Sequence, residues 1–223
     1  MAKQPKEKKY SEAELIKLFG LKRSVGNSKN LLMHEWTQTA TTLNAGEQYI
    51  FDEIFIGIED KIAGWNEESL KMNFIAFVLL LGYMKSTEAY STFFEQTIEG
   101  TIDGHYLKIK TDFMLATGIL EIPDTPFFHF QEYKKQKDPS GDPAAQLLEA
   151  MLIARQINKN KQPIYGCYIV GKLWDFVILD NNNFLISQSY DCTQKEDLMQ
   201  IIAILRNFIK ILETRLLPQS NAL

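Results

Sequence analysis

The stretch that most narrows what this chain can become is "FFEQTIEGTIDGHYLKIKTDFML", residues 93–115. Polar and apolar residues alternate there with period two on both sides of Asp103-Gly104. Strand side chains point to opposite faces in turn, and an Asp-Gly pair accepts the positive φ angles of a tight two-residue turn. The spacing predicts a β-hairpin and commits the middle of the chain to sheet.

Before the hairpin the pattern is helical. "SEAE" at 11–14 matches a capping box, Ser11 accepting from the backbone and Glu14 reaching back, and predicts a short helix that stops near Gly20. Two helices are expected between about Lys29 and Ile62, the second carried by Tyr49, Ile50, Ile54 and Ile58. "WNEESLKMNFIAFVLLLGY" then opens with Asn66 as N-cap, carries acids in its first turn and becomes apolar. After the hairpin, a loop containing Pro123 and Pro126 is expected to lead into an aromatic strand, "FFHFQEYKK". Asp142 and Pro143 open a further helix as N-cap and first helical residue. "PIYGCYIVG", "LWDFVIL" and the shorter "FLISQSY" read as strands, and the closing helix is expected to start on a capping box of Thr193 and Glu196. This order predicts an α/β fold, a central mixed sheet flanked by helices. A tail and helical extension would occupy 1–62 and the main α/β unit 63–223, with a long C-terminal helix.

Composition excludes several classes. Among 223 residues, two cysteines, Cys167 and Cys192, are too few for a disulfide framework or a cysteine zinc site. The histidines His34, His105 and His129 show no metal-ligand spacing and read as core or surface residues. A net charge of −4 advertises no global nucleic-acid surface, so any basic patch must be local. Lys108, Lys110, Lys134, Lys135 and Lys137 are its candidates. The basic N-terminus is followed by no apolar signal segment, and "FIAFVLLLGYM" is too short to span a bilayer. The expectation is a cytoplasmic, reducing setting with no membrane partner.

Strand parity brings chemistry together. Lys108, Lys110, Asp112 and Met114 are expected on one face of the second hairpin strand, opposite Leu107, Ile109, Phe113 and Leu115. In the next strand Phe128, Phe130, Glu132 and Lys134 are expected to share a face, with Tyr133 pointing away. If these strands are neighbours, Asp112 and Glu132 converge with Lys134 beside them. Asp103 is the competing aspartate, but its turn already explains it. Hard divalent cations such as Mg²⁺ or Mn²⁺ take oxygen ligands, and one or two acids suffice when water and substrate phosphate fill the remaining positions. The Tyr133 carbonyl is a natural extra ligand, and Lys134 is suited to orient an attacking water and stabilise charge on phosphorus.

Asp112 followed by Glu132-Tyr133-Lys134 resembles the D…(D/E)xK signature of the PD-(D/E)xK nucleases, the restriction-endonuclease-like superfamily. "NEESLKMNFIAFVLLLGY" is similar to that core's first helix, whose leading glutamate often joins the metal site. Glu67 matches this position best, with Glu68 as the fallback. "AAQLLEAMLIA" resembles the helix after the ExK strand, in which a glutamine approaches the catalytic lysine; Gln146 matches. "PIYGCYIVGKLWDFVIL" looks like the next strand pair in the amino-terminal nuclease domains of type I restriction R subunits. The similarity spans about residues 66–180. Thr111 stands where the family has proline, and Tyr133 fills a position often small in relatives.

The resemblance implies metal-dependent phosphodiester hydrolysis of nucleic acid, DNA by analogy, with Asp112, Glu132, Tyr133 and Glu67 at the metal and Lys134 and Gln146 beside them. It also leaves room for a homodimer or a larger defence or repair assembly. The alternative is a catalytically inactive nuclease-like domain serving as an accessory subunit that binds nucleic acid or protein.

Overall fold

In the computed structural model, which describes residues 9–59, 61–134 and 142–217, the hairpin forms as its sequence dictates. Strands β2 (Ser91–Ile102) and β3 (His105–Ile119) pair antiparallel from Ile102 opposite His105, and Asp103 and Gly104 take φ of 49° and 81°. Both angles are positive, as the mirror-image hairpin turn requires.

The remaining strands are β1 (Lys22–Val25), β4 (Ile122–Lys134), β5 (Ile164–Val170), β6 (Leu173–Asp180), β7 (Asn183–Ile186) and β8 (Tyr190–Asp191). Among the described residues these eight strands make one sheet, ordered β1-β7-β6-β5-β4-β3-β2, with β8 on β6. The β4–β5 and β1–β7 pairs are parallel and the others antiparallel, so the sheet is mixed. The helices are α1 (Glu12–Leu18), α2 (Leu31–Thr37), α3 (Ala45–Glu59), α4 (Glu67–Leu70), α5 (Ala76–Leu81), α6 (Pro143–Asn158) and α7 (Lys195–Ile211). No helix among the described residues is long and apolar enough to cross a membrane.

Two apolar cores flank the sheet. One gathers Trp36, Phe51, Phe74, Val78, Trp174, Phe176, Ile201 and Phe208 from α2, α3, α5 and the turn before it, α7 and the sheet. The other sets Leu147, Met151 and Leu152 of α6 and Leu15 of α1 against Phe93, Met114 and Phe130. Full burial of a large apolar side chain contributes about 1.5–3 kcal/mol, and most of these are under 2 % exposed. Trp36, wholly buried, gives its indole N–H to the Ile204 carbonyl at 3.0 Å and so pins α2 to α7.

Local signals hold at three helix starts. Ser11 and Glu14 form the capping box, Asn66 accepts from Ser69 N–H, and Asp142 accepts from Ala145 N–H ahead of Pro143. The expected box of Thr193 and Glu196 does not form. Asp191 captures the Thr193 backbone N–H and hydroxyl in a local turn, and α7 begins after Gln194 without a side-chain cap. Nor is there a loop around Pro123 and Pro126. β3 turns directly into β4, with Ile119 opposite Ile122, and both prolines lie in the strand. They are tolerated because β4 meets β5 only from His129 onward, so on that stretch one side of β4 has no ladder to serve. β1, which the helical pattern around it hid, adds a parallel strand at β7.

The expected parity is broken twice. On β3, Leu107 and Met114 lie in the same core although seven positions separate them, while Phe113 and Leu115 face the other core. The alternation therefore slips between Ile109 and Phe113, and Met114 does not share a face with the exposed Lys108 and Lys110. On β4, the register shift opposite Leu115 and Ala116 is a bulge at Phe128 that swings its ring into the core opposite Phe130.

Gly166 of β5 lies so close to β4 and α6 that a methyl group there would sit 2.8 Å from the Phe130 carbonyl oxygen and 2.9 Å from Leu147. Gly166→Ala is expected to lower stability by about 1–3 kcal/mol, read from the midpoint of urea unfolding. His129, with no exposed surface, has its pKa pushed down to about 3 by burial. A folded pKa below the unfolded value of about 6.5 means that its stability contribution is present above pH 6.5 and lost as pH falls toward 3. Relative to His129→Phe, wild type should lose about 1.4 kcal/mol per pH unit below pH 6. Parallel urea titrations of the two proteins cancel the other titrating groups.

Candidate functional site

The site begins where two strands part. The β3–β4 ladder runs through Met114–Phe130 and ends at Phe113–Gln131, so Asp112 and Glu132 are the next residues on the two strands. There the Tyr133 N–H bonds not to a backbone carbonyl of β3 but to Asp112 Oδ2, at 2.8 Å. On its other side β4 continues against β5 as far as Lys134 with Val170. On β3, the Thr111 hydroxyl turns instead to the Gln96 carbonyl of β2, at 3.2 Å. The strands fork, and the Asp112 carboxylate bridges the opening.

A third acid lines up with these two. β2 pairs Phe94 with Phe113 and Gln96 with Thr111, so Glu95 stands level with Asp112. Glu95 has φ of 54°, a left-handed conformation in mid-strand that costs a non-glycine residue about 1–3 kcal/mol. Across β2, β3 and β4 the row therefore reads Glu95, Asp112, Glu132.

A fourth carboxylate arrives from the helical layer. Asn66 caps α4, and Glu67 occupies the first turn. The helix then widens into a π-type segment, Lys71–Ile75, before α5 resumes. Such single-turn insertions concentrate at functional sites. Lys71, the first residue of this segment, places its ammonium 2.8 Å from Asp112 Oδ1, 2.9 Å from Glu95 and 3.1 Å from Glu67. Glu68 is 4.0 Å away and 80 % exposed, so Glu67 is the better placed of the two glutamates. Lys134 sits 2.9 Å from Glu132 and 3.9 Å from Glu67.

Burial sets the electrostatics. Glu132, 3 % exposed, is pushed up to about 7 by desolvation and then by the Asp112 charge, against the pull of Lys134. Burial also raises Asp112, despite the hydrogen bonds from Lys71 and the Tyr133 N–H. Hydrogen bonds from Lys110 and Lys71 draw the more open Glu95 down to about 2. For Lys71, partial burial works against the charge, but its bonds to Asp112 and Glu95 outweigh it and raise its pKa. Lys134 behaves alike, desolvation being overcome by the Glu132 charge.

The remaining candidates separate. Tyr133 packs its buried ring into the α5–α7 core, with the Lys71 ammonium 5.9 Å from the ring centroid, and its hydroxyl donates to Gln131 Oε1 at 2.5 Å. Gln131 in turn meets His129 Nε2 at 3.2 Å. Gln146 lies in the first turn of α6, and among the described residues its buried Oε1 has no hydrogen-bond partner. Lys108 and Lys110 are spent on Glu99 and Glu95, and Lys135 and Lys137 lie outside the described residues. Cys167 and Cys192 are buried and free.

Beside the acids opens a cleft of about 550 Å³, lined by Met72, Ile75, Leu79, Leu80 and Phe94 together with Lys71, Glu95 and Asp112. Among the described residues no group of three or more His, Cys, Asp or Glu side chains is already arranged to hold a metal ion. The donor chemistry nonetheless suits a hard cation. The row offers carboxylate oxygens, and a cationic nitrogen already stands among three of them.

Glu95 and Lys71 were missed by strand-parity reasoning. A signal for Glu95 existed, because a turn centred on Asp103-Gly104 sets residue 95 against residue 112. Lys71, four residues after Glu67 on a helix expected to lie over the sheet, had only that i,i+4 spacing to mark it. No protein-family model matches the chain, and no curated protein sequence matches it.

Proposed function

We propose that this protein is a metal-dependent nuclease of the PD-(D/E)xK, restriction-endonuclease-like kind, hydrolysing phosphodiester bonds of nucleic acid, DNA by analogy. The observation that carries the reading is the fork itself. Asp112 and Glu132 are neighbours across diverging strands, both nearly buried, with the Lys134 ammonium 2.9 Å from Glu132. The mixed sheet with helices on both sides and the Glu67 helix over the site are consistent with the same core.

In this reading Asp112 and Glu132 hold a Mg²⁺ or Mn²⁺ ion, the Tyr133 carbonyl adds a neutral oxygen, and Glu67 completes the set directly or through water. When bound, the ion supplies Lewis-acid stabilisation of a phosphoryl oxygen and lowers the pKa of a water. Glu132 fixes Lys134 where its ammonium can orient the attacking water and offset charge developing on phosphorus. The Asp112–Tyr133 bond keeps the two acids in register, so the pocket is organised before substrate arrives. The resemblance also gives Gln146 a place beside Lys134; its buried carboxamide oxygen makes no hydrogen bond among the described residues. A second reading, a non-catalytic accessory domain, draws support from Lys71, which balances the acids without any ion.

The two readings part on a thermal-melt titration. Mn²⁺ or Mg²⁺ should raise the melting temperature, by the equivalent of about 2.7 kcal/mol at a hundred times Kd. Asp112→Asn and Glu132→Gln should abolish the shift, and Lys134→Met should keep it. In assays with single- and double-stranded DNA and RNA, Lys134→Met should lower cleavage by about 10²–10⁴-fold. No shift at millimolar ion, with no cleavage by wild type, would favour the accessory reading.

A further inference from the structure

We propose that Lys71 is a tethered counter-cation that competes with the divalent ion for Asp112, so that ion and nucleic-acid phosphate enter the site cooperatively; this rests on the nuclease reading. An ammonium group has three N–H donors. Lys71 has three carboxylates within 3.1 Å, on α4, β2 and β3, which can take all three. Its side chain is 17 % exposed, so these pairs are only partly screened by solvent. The arrangement also carries a local cost. Glu95 holds a left-handed backbone in mid-strand, and its two oxygens meet Lys71 and Lys110.

Asp112 divides its oxygens unequally. Oδ2 is fixed by the Tyr133 N–H at the strand fork, whereas among the described residues Oδ1 is held by the Lys71 side chain alone. Oδ1 is therefore the oxygen that can change partner. An ion taking it repels an ammonium within a few ångströms, and Lys71 must withdraw toward Glu67 and Glu95 with one N–H unfilled. A phosphate oxygen offers that N–H an anionic partner, and Lys71 also lines the cleft along which a substrate would lie. Each ligand then lowers the cost of the other's arrival. Such coupling is reciprocal and typically 5- to 150-fold.

Calorimetric titration of Mn²⁺ tests this in the cleavage-poor Lys134→Met background, with and without a twelve-nucleotide single-stranded DNA. With Lys71 present, DNA should tighten Mn²⁺ binding by about fivefold or more. Adding Lys71→Met should tighten Mn²⁺ binding without DNA by about tenfold, and DNA should then add little. Lys71→Arg, which keeps a cation, should retain the weak binding and the DNA effect; it serves if the methionine variant folds poorly. Equal or weaker Mn²⁺ binding in Lys71→Met, or a DNA effect that survives it, overturns the proposal while leaving the metal site standing, provided Asp112→Asn still abolishes binding. Binding that Asp112→Asn leaves untouched, or no Mn²⁺ uptake at all, overturns both this proposal and the nuclease reading.

Discussion

The hydrogen bond from the Tyr133 N–H to Asp112 Oδ2 is the contact on which the rest of the site depends. A backbone donor near the centre of a sheet needs a partner, and here a carboxylate supplies it after the neighbouring strand has turned away. The bond ends the β3–β4 ladder without leaving an orphan donor. It also holds Asp112 level with Glu132, the separation on which every role given to these acids rests. Because one partner is main chain, one Asp112 oxygen is tied to the sheet itself.

Placing several carboxylates close together under partial burial is unfavourable unless cations accompany them. The structure meets this with lysines from two directions, Lys71 from the helical layer and Lys134 from the same strand as Glu132. Their placements differ. Lys134 remains beside the more buried glutamate, while Lys71 touches acids on three separate elements. The two acids nearest the fork still titrate above their ordinary range. Burial is the first cause of both shifts, and the lysines pull against it only in part.

Much of this was legible in the sequence because local chemistry decided it. The Asp103-Gly104 turn, the caps at Ser11, Asn66 and Asp142, and the apolar runs of the sheet follow from rules that act over a few residues. The meeting of Asp112, Glu132 and Lys134 could be anticipated from strand order. The rest depends on tertiary contacts. Phe128 goes to the opposite core from the one its parity implies because a bulge intervenes, and Glu95 takes a left-handed angle that no motif announces. β1 is four residues long and forms by pairing with a strand more than 150 residues later in the chain. Thr193 and Glu196 looked like a cap, but Asp191, two residues earlier, was the stronger acceptor for the threonine.

That short β1 strand has a consequence for handling the protein. It covers β7, and Asn27 just beyond it is anchored to the Gln188 N–H and the Tyr190 hydroxyl. Its Lys22 and Arg23 give the sheet a charged margin, which discourages pairing with foreign strands. Trimming the amino-terminal region past Gly26 would strip this border and lay bare β7, whose Phe184, Leu185 and Ile186 are nearly inaccessible in the intact fold. Shortened versions would then carry an unguarded, hydrophobic ribbon prone to self-association, so a soluble minimal fragment should begin upstream of Lys22.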